Sequence, residues 1–360
     1  MKKEKSLIIF IPSIENAGVE RNLYLIANFL SKKKISIEVL TAFKKEKKFF
    51  NRKIKVISLE KNSKIKSRFF KTIITISLFI KYCKNKDSLI LSFQANTIAI
   101  LLGMIFKKNV IIRSNTSPEK YINNPIKKIL FKTIFKFANE IIVNSYEFKQ
   151  RFKKFFSITP TVIYNPFLAR KTGKINFNFF QDKKSLKIIN VARLTDQKDH
   201  LTLLIAIKKL CKVIKCKLLI VGTGYNEKKL KDYILENELD KNVKLIGYKS
   251  NPEDYIKISD LFVLSSIYEG LPNVLIEAQN LKKYIISTDC PTGPKEILKK
   301  GKCGDLYKVK DYERLFKLLR NFNSKSPKVR KKILQGYKSL DRFDYKTNCK
   351  KYLKLISKYL

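Results

Sequence analysis

Two carboxylates eight positions apart, Glu269 and Glu277, bound the segment EGLPNVLIEA. Carboxylates accept hydrogen bonds from sugar hydroxyls. Between them, Gly270 permits close backbone approach and Pro272 suits the first turn of a helix. The segment therefore predicts a tight turn and a helix N-terminus whose free amides meet phosphate or sugar oxygens. On these residues alone, one capping Glu and one solvated Glu is the alternative. A second stretch, VARLTDQKDH, sets Arg193 and Lys198 on a loop that opens a helix. Two cations there suit a diphosphate, and ordinary surface charge is the alternative in so basic a chain. VGTGYN places Gly222 after a strand but lacks the third glycine of a dinucleotide fingerprint. The loop Glu15 to Arg21 offers Gly18 for backbone approach to a ligand. TDCPTGPKEIL, Thr288 to Leu298, turns at Gly293-Pro294 into another helix. The single histidine, His200, excludes a multi-histidine metal site and reads as a residue that caps or packs near a helix start.

These stretches need a scaffold that presents them together. Short apolar runs alternate with longer helical patterns along the chain. Strands are expected at Leu7–Ile11, Ile35–Leu40, Leu89–Phe93, Val110–Arg113, Glu140–Val143 and Thr161–Ile163. Five more follow at Leu186–Val191, Lys217–Val221, Val243–Ile246, Leu261–Leu264 and Tyr284–Ser287. Continuous Val/Ile/Leu strands separated by helices indicate parallel sheets covered on both faces. A polar break from Asn165 to Lys184 divides two α/β domains of similar size. The four stretches of the second half then sit at carboxyl ends of strands, the edge of an open parallel sheet where ligands bind.

Composition bounds the class. The chain has 360 residues, 77 Lys plus Arg against 30 Asp plus Glu, and a net charge of +47. With 44% hydrophobic and 12% aromatic residues it is not intrinsically disordered. The charge has two readings: AT-rich coding bias, which favours Lys, Ile, Asn and Phe, or attraction to anionic partners. Six scattered cysteines with no CxxC pair and no zinc spacing suit a reducing compartment. Leu7–Ile11 is too short for a signal-peptide core. Gln94 and Asn96 interrupt the apolar region Ser88 to Phe106, which reads as a strand and a helix rather than a membrane span. Ile126–Phe137 and Phe148–Phe156 mix Lys with Phe, Ile and Leu. Both suit a surface resting on anionic headgroups, with core helices bearing solvated lysines as the alternative.

The motif S-x-Y-E-G-L-P-N-V-L-I-E-A with its Glu269-x7-Glu277 spacing, together with A-R-L-x-x-Q-K-D-H and V-I-Y-N-P (Val162 to Pro166), resembles the retaining glycosyltransferases of family 4, group 1. The resemblance covers essentially the whole chain. It implies an α/β GT-B fold: two facing Rossmann-like domains with parallel sheets and a C-terminal helical tail. An acceptor-binding domain would span 1–165, a linker 166–184 and a nucleotide-sugar domain 185–340. The tail, 341–360, would pack back on the N-terminal domain.

By this resemblance Arg193 and Lys198 hold the donor diphosphate and stabilise the departing nucleotide. Glu269 contacts donor sugar hydroxyls, so these three form the catalytic set. Backbone amides from the stretch Gly270 to Asn273, which Leu271 and Pro272 complete, assist, and Glu277 binds the ribose. Gly18 and Gly222 line the donor site, and Gly247–Tyr248 lies near the nucleobase. No DxD motif is present, which agrees with a site needing no metal and no cofactor beyond its nucleotide-sugar substrate. TDCPTGPKEIL most resembles bacterial enzymes of capsule, O-antigen or other lipid-linked glycan synthesis.

The implied activity is transfer of a hexose or N-acetylhexosamine, from a UDP-sugar, to a polyprenyl-linked or polysaccharide acceptor. The implied location is cytoplasmic, peripheral on the inner face of the membrane. Two departures stand out. Ala17-Gly18-Val19-Glu20 replaces the family's G-G-A-E, and Arg113–Ser117 (RSNTS) lacks the histidine that many relatives carry near the acceptor. The alternatives are another GT-B activity, such as a nucleotide-sugar epimerase, or a non-catalytic basic protein that binds nucleic acid or membrane. The chain carries no recognisable nucleic-acid module, and its basic residues are spread rather than concentrated.

Overall fold

The computed structural model describes residues 6–14, 18–33, 35–43, 49–59, 65, 67–115, 124–175, 177–182 and 184–360. Glu15–Ala17 of the Gly18 loop, and Thr116 and Ser117 of RSNTS, lie outside them. The chain forms two compact units, Met1–Phe167 with Phe343–Leu360, and Leu168–Arg342.

The first unit is built on seven strands: β1 (Ser6–Phe10), β2 (Ser36–Phe43), β3 (Lys55–Leu59), β4 (Ser88–Ser92), β5 (Val110–Arg113), β6 (Glu140–Val143) and β7 (Thr161–Val162). They pair in parallel in the order β3-β2-β1-β4-β5-β6-β7. Alternation along β1 divides its side chains between two cores. Leu7 and Ile9 pack with the helix Gly18–Leu30, whereas Ile8 and Phe10 pack beneath helices Arg68–Tyr82, Asn96–Ile105, Pro125–Phe135 and Tyr146–Phe156. A central strand must therefore be apolar on both faces, which is why β1, β4 and β5 read as unbroken hydrophobic runs. Asn124 and Ser145 cap two of these helices by accepting from first-turn amides. The helix Tyr345–Ile356 lies beside Gly18–Leu30, and its Cys349, Tyr352 and Ile356 complete that core.

The second unit repeats the plan with β8 (Leu186–Val191), β9 (Cys216–Val221), β10 (Val243–Leu245), β11 (Leu261–Leu264), β12 (Tyr284–Thr288) and β13 (Asp305–Tyr307). All are parallel, in the order β10-β9-β8-β11-β12-β13. The order reverses between β8 and β11, so the loops leaving their carboxyl ends flank a crevice. The polar stretch after Phe167 is held by this unit: Arg170 Nη1 donates to Ser250 O at 2.9 Å and Gly173 N to Asp254 Oδ1 at 2.7 Å.

Three features differ from expectation. β3 and β13, absent from the sequence-based set, are edge strands of five and three residues; β3 buries only Ile57 fully and β13 only Tyr307. Too few inward side chains remain to leave an apolar signature. In Phe148–Phe156, the residues Phe148, Phe152 and Phe156 are fully buried. That segment is a core helix with solvated lysines, not a surface for headgroups. Among the described residues no helix is long and apolar enough to cross a membrane.

Candidate functional site

The site grows from the loops after β8 and β11. β8 ends at Val191 and the chain runs through Arg193 to a short 3-10 turn, Asp196–Lys198, before the helix His200–Cys211. Asp199 adopts φ 43° and caps that helix, accepting from Thr202 N and, at 2.7 Å, from Thr202 Oγ1. The loop after β11 is stitched to this turn. Ile267 N donates to Gln197 O at 2.8 Å, Gln197 Nε2 to Tyr268 O at 2.9 Å, and Ser265 Oγ to Lys198 O at 2.8 Å. These bonds bring together two side chains 71 positions apart: Lys198 Nζ donates to Glu269 Oε1 at 2.5 Å. Ser266 Oγ donates to the same oxygen at 2.6 Å. Glu269 is buried and Lys198 half-buried, so this is a desolvated ion pair with a supporting hydroxyl rather than a surface pair. Lys198 has three N–H donors and spends one here, which leaves two for a ligand. Arg193 is exposed and has no side-chain partner among the described residues.

Glu269 is also fixed through its backbone. Its N–H donates to Pro291 O at 2.6 Å, and its carbonyl accepts from Thr292 N and Thr292 Oγ1 at 3.2 and 3.0 Å. Gly293, at φ 93°, lets the TDCPTGPKEIL turn press on EGLP; a Cβ there would meet Gly270 O at 2.1 Å. The helix Asn273–Asn280 follows, with Pro272 in the N-cap position and no cap hydrogen bond from its side chain. Leu271 and Pro272 are buried, and Gly270 and Asn273 half-buried. Glu277 is buried on the same helix.

The remaining residues of the set fall on two further loops and the other unit. Gly222, at φ 148°, follows β9; a Cβ there would meet Ala192 O at 1.9 Å, so a side chain would push the Arg193 loop away. Its N–H donates to Gly247 O at 2.9 Å, which joins the third loop, and Tyr248 beside it is exposed. Gly18, exposed at the start of its helix, belongs to the first unit.

The pattern of the family described as "Glycosyl transferases group 1" matches residues 172–339. An uncharacterised glycosyltransferase of Methanocaldococcus jannaschii is 37% identical over 219 residues, 55% of this chain and 53% of that protein. The alignment thus spans about half of that relative's length. An undecaprenol-diphosphate-linked 4-alpha-N-acetylgalactosaminyltransferase of Campylobacter jejuni is 26% identical over 97% of this chain and 99% of its own. Nearly half of the chain, residues 172–339, thus matches the group 1 glycosyltransferases. Among solved structures, Anabaena HepE in complex with UDP and glucose superposes with a TM-score of 0.78 at 16% identity, covering 98% of this chain and 100% of that one. That likeness places the fold among the GT-B proteins.

Within this group 1 segment, the motifs by themselves assign no role to Ser266 and Thr292, the hydroxyls that anchor Glu269. Single hydroxyls in loops carry no periodic signal. His200 is buried, and Asn190 explains it. Asn190 Nδ2 donates to Val263 O, so its Oδ1 faces the ring nitrogen at 3.1 Å, which donates. Burial, and secondarily the Lys198 charge, lowers the His200 pKa to about 4. It is a neutral packing residue beneath the Lys198 turn.

A second polar cluster, also unforeseen, sits at the carboxyl ends of β1, β4 and β5. Arg113 is fully buried, donating to Tyr352 Oη at 2.9 Å, Asn165 Oδ1 at 2.5 Å and Asn115 Oδ1, with its guanidinium 5.5 Å from the Phe93 ring centre. Glu20 accepts from Gln94 Nε2 at 3.4 Å, and Gln94 Oε1 accepts from Ser13 N at 3.1 Å.

Proposed function

We propose that the chain is a retaining glycosyltransferase of family 4. It moves a hexose or N-acetylhexosamine from a UDP-sugar to a lipid-linked or polysaccharide acceptor in the synthesis of surface glycans, and works at the inner face of the cytoplasmic membrane. One observation carries the reading. The desolvated Lys198–Glu269 pair sits at the carboxyl edge of the second sheet, on the same loop as an exposed cation, Arg193. A nucleoside diphosphate leaving group gains negative charge as the bond from its oxygen to the anomeric carbon breaks. The two spare donors of Lys198, held by Glu269, are in place before that charge appears, which is the condition for electrostatic catalysis, and Arg193 adds a second cation beside them. Glu269 accepts from a donor sugar hydroxyl while Ser266 keeps it oriented. The amides of Gly270, Leu271 and Asn273 assist; Pro272, which has no N–H, starts the helix. Glu277 receives the ribose hydroxyls, and Gly222 and Gly247–Tyr248 border the nucleotide. The acceptor oxygen bonds to the same face of the anomeric carbon, and its proton passes to the departing phosphate oxygen. No separate base and no metal are required.

The names of the relatives support the substrate class: the Campylobacter enzyme's names an undecaprenol-diphosphate-linked glycan, and an Escherichia coli relative's names a UDP-galactose donor. The test is a thermal-shift panel of UDP-, GDP-, ADP- and CMP-sugars, followed by turnover with the donor that stabilises the fold. Arg193→Ala and Lys198→Ala should each lower turnover by about two to three orders of magnitude. Wild-type rates in either, or a loss on chelation that Mg²⁺ restores, would refute the assignment.

A further inference from the structure

The two helical layers of the first unit differ on their outer sides. Gly18–Leu30 and Tyr345–Ile356 expose no large hydrophobic side chain. The opposite layer exposes many. On Asn96–Ile105 the exposed apolar residues are Leu101, Met104 and Ile105, and on Pro125–Phe135 they are Ile126, Ile129 and Leu130. Both triplets have i, i+3, i+4 spacing, which places each on one helix face. Ile105 is 69% and Ile126 74% exposed, so these faces are not grazing the core. The two helices pack side by side. Phe106, just past the first, meets Phe79 of Arg68–Tyr82 at 5.5 Å between ring centres, and that helix turns Phe69, Phe70 and Ile73 outward. Two adjoining helices thus expose apolar faces, and Arg68–Tyr82 exposes three more large apolar side chains, beyond the single scattered residues of an ordinary surface.

Charge identifies the occupant. Residues 61–139 contain sixteen Lys or Arg against two acids, Asp87 and Glu119. Lys81, Lys107 and Lys127 on or beside these helices are exposed. A second copy of the chain seated face to face would set like charges against each other. An anionic bilayer instead offers acyl chains to the apolar triplets and headgroups to the lysines, each worth about 1 kcal/mol near the surface.

We propose that the layer Arg68–Tyr82, Asn96–Ile105 and Pro125–Phe135 is a docking face for an anionic lipid bilayer, with the two apolar triplets entering the interface. The inference rests on the lipid-linked acceptor reading only for its purpose; the surface stands without the donor chemistry. The full chain is to be sedimented with vesicles of phosphatidylglycerol and phosphatidylcholine, and with phosphatidylcholine alone, at low and moderate salt. Wild type should pellet with the anionic vesicles at least about tenfold more strongly, and Ile105→Glu/Ile129→Glu should lose at least about tenfold of that binding. Both side chains are exposed, so the variant keeps its fold, verified by an unchanged thermal shift with UDP in the same preparation. Absence of pelleting at both salts, or equal pelleting of the variant, would overturn the proposal. So would a wild-type dimer that the variant dissociates without any vesicle binding, which would give the face to a second copy. A lost UDP shift in wild type, with vesicle binding intact, would count against the donor site and leave this surface standing.

Discussion

The two units share a plan and use the same edge of it in opposite ways. In each, the first strand lies inside a parallel sheet and the order reverses beside it. In the second unit the loops at that reversal carry Lys198 with two donors to spare and Arg193 with no side-chain partner among the described residues. In the first, the cation at the equivalent edge, Arg113, is fully enclosed and spent on Tyr352, Asn115 and Asn165. Topology supplies a place for polar groups; whether their charge is left open or satisfied internally decides between binding and bracing. On the proposed reading the second unit's edge is open to an anion, whereas the first unit's Arg113 fastens β5, the segment after β7 and the last helix to one another.

The sharpest way to break this contrast is Gly293→Ala. With φ at 93° and Gly270 O in the path of a Cβ, the EGLP turn must shift. The loss should exceed about 3 kcal/mol in denaturant unfolding, with the UDP thermal shift gone. Unchanged stability would show that the turn is looser than its contacts. Next, His200 links protonation to the charged edge. Its folded pKa lies near 4 and its unfolded value near 6.5, so the unfolded chain binds more protons between those limits. Stability is fully present above pH 6.5 and falls as pH drops toward 4, by up to about 3 kcal/mol. His200→Gln, which can still donate to Asn190, should flatten that part of the profile; identical pH profiles would remove His200 as the cause. The smallest effect is expected from Arg113→Met, about 2 kcal/mol for the acceptors it strands. Hydrogen exchange should quicken in 6–167 and 343–360 while UDP stabilisation stays as in wild type. Loss of UDP stabilisation would mean that bracing and binding are not separable.

Strands covered on both faces were legible in the sequence, and edge strands only unevenly. β1 and β8 were readable because both of their faces are covered; β3 and β13, with one buried residue each, were missed, whereas β7 and β10, which bury none and one, were expected. Ile126–Phe137 and Phe148–Phe156 both interleave basic with apolar residues, yet one exposes Ile126, Ile129 and Leu130 and the other buries Phe148, Phe152 and Phe156. Periodicity defines a stripe and says nothing of what covers it. Arg193, Lys198 and Glu269 were legible as motif residues at strand ends. Their pairing was not, because it depends on hydrogen bonds between loops far apart in sequence, such as Ser265 to Lys198.

The return of the chain after Arg342 also has a meaning in time. The second unit is contiguous, whereas the first needs Phe343–Leu360, which the ribosome supplies only after the whole second unit has been made. Domains fold as units during synthesis. The part encoded first is thus the last to be finished. Until Tyr345–Ile356 arrives, Leu23, Ile26 and Leu30 lack the cover that this helix gives them. The nascent protein passes through an interval in which its second unit is mature and its first still presents bare hydrophobic surface to whatever waits at the exit of the ribosome.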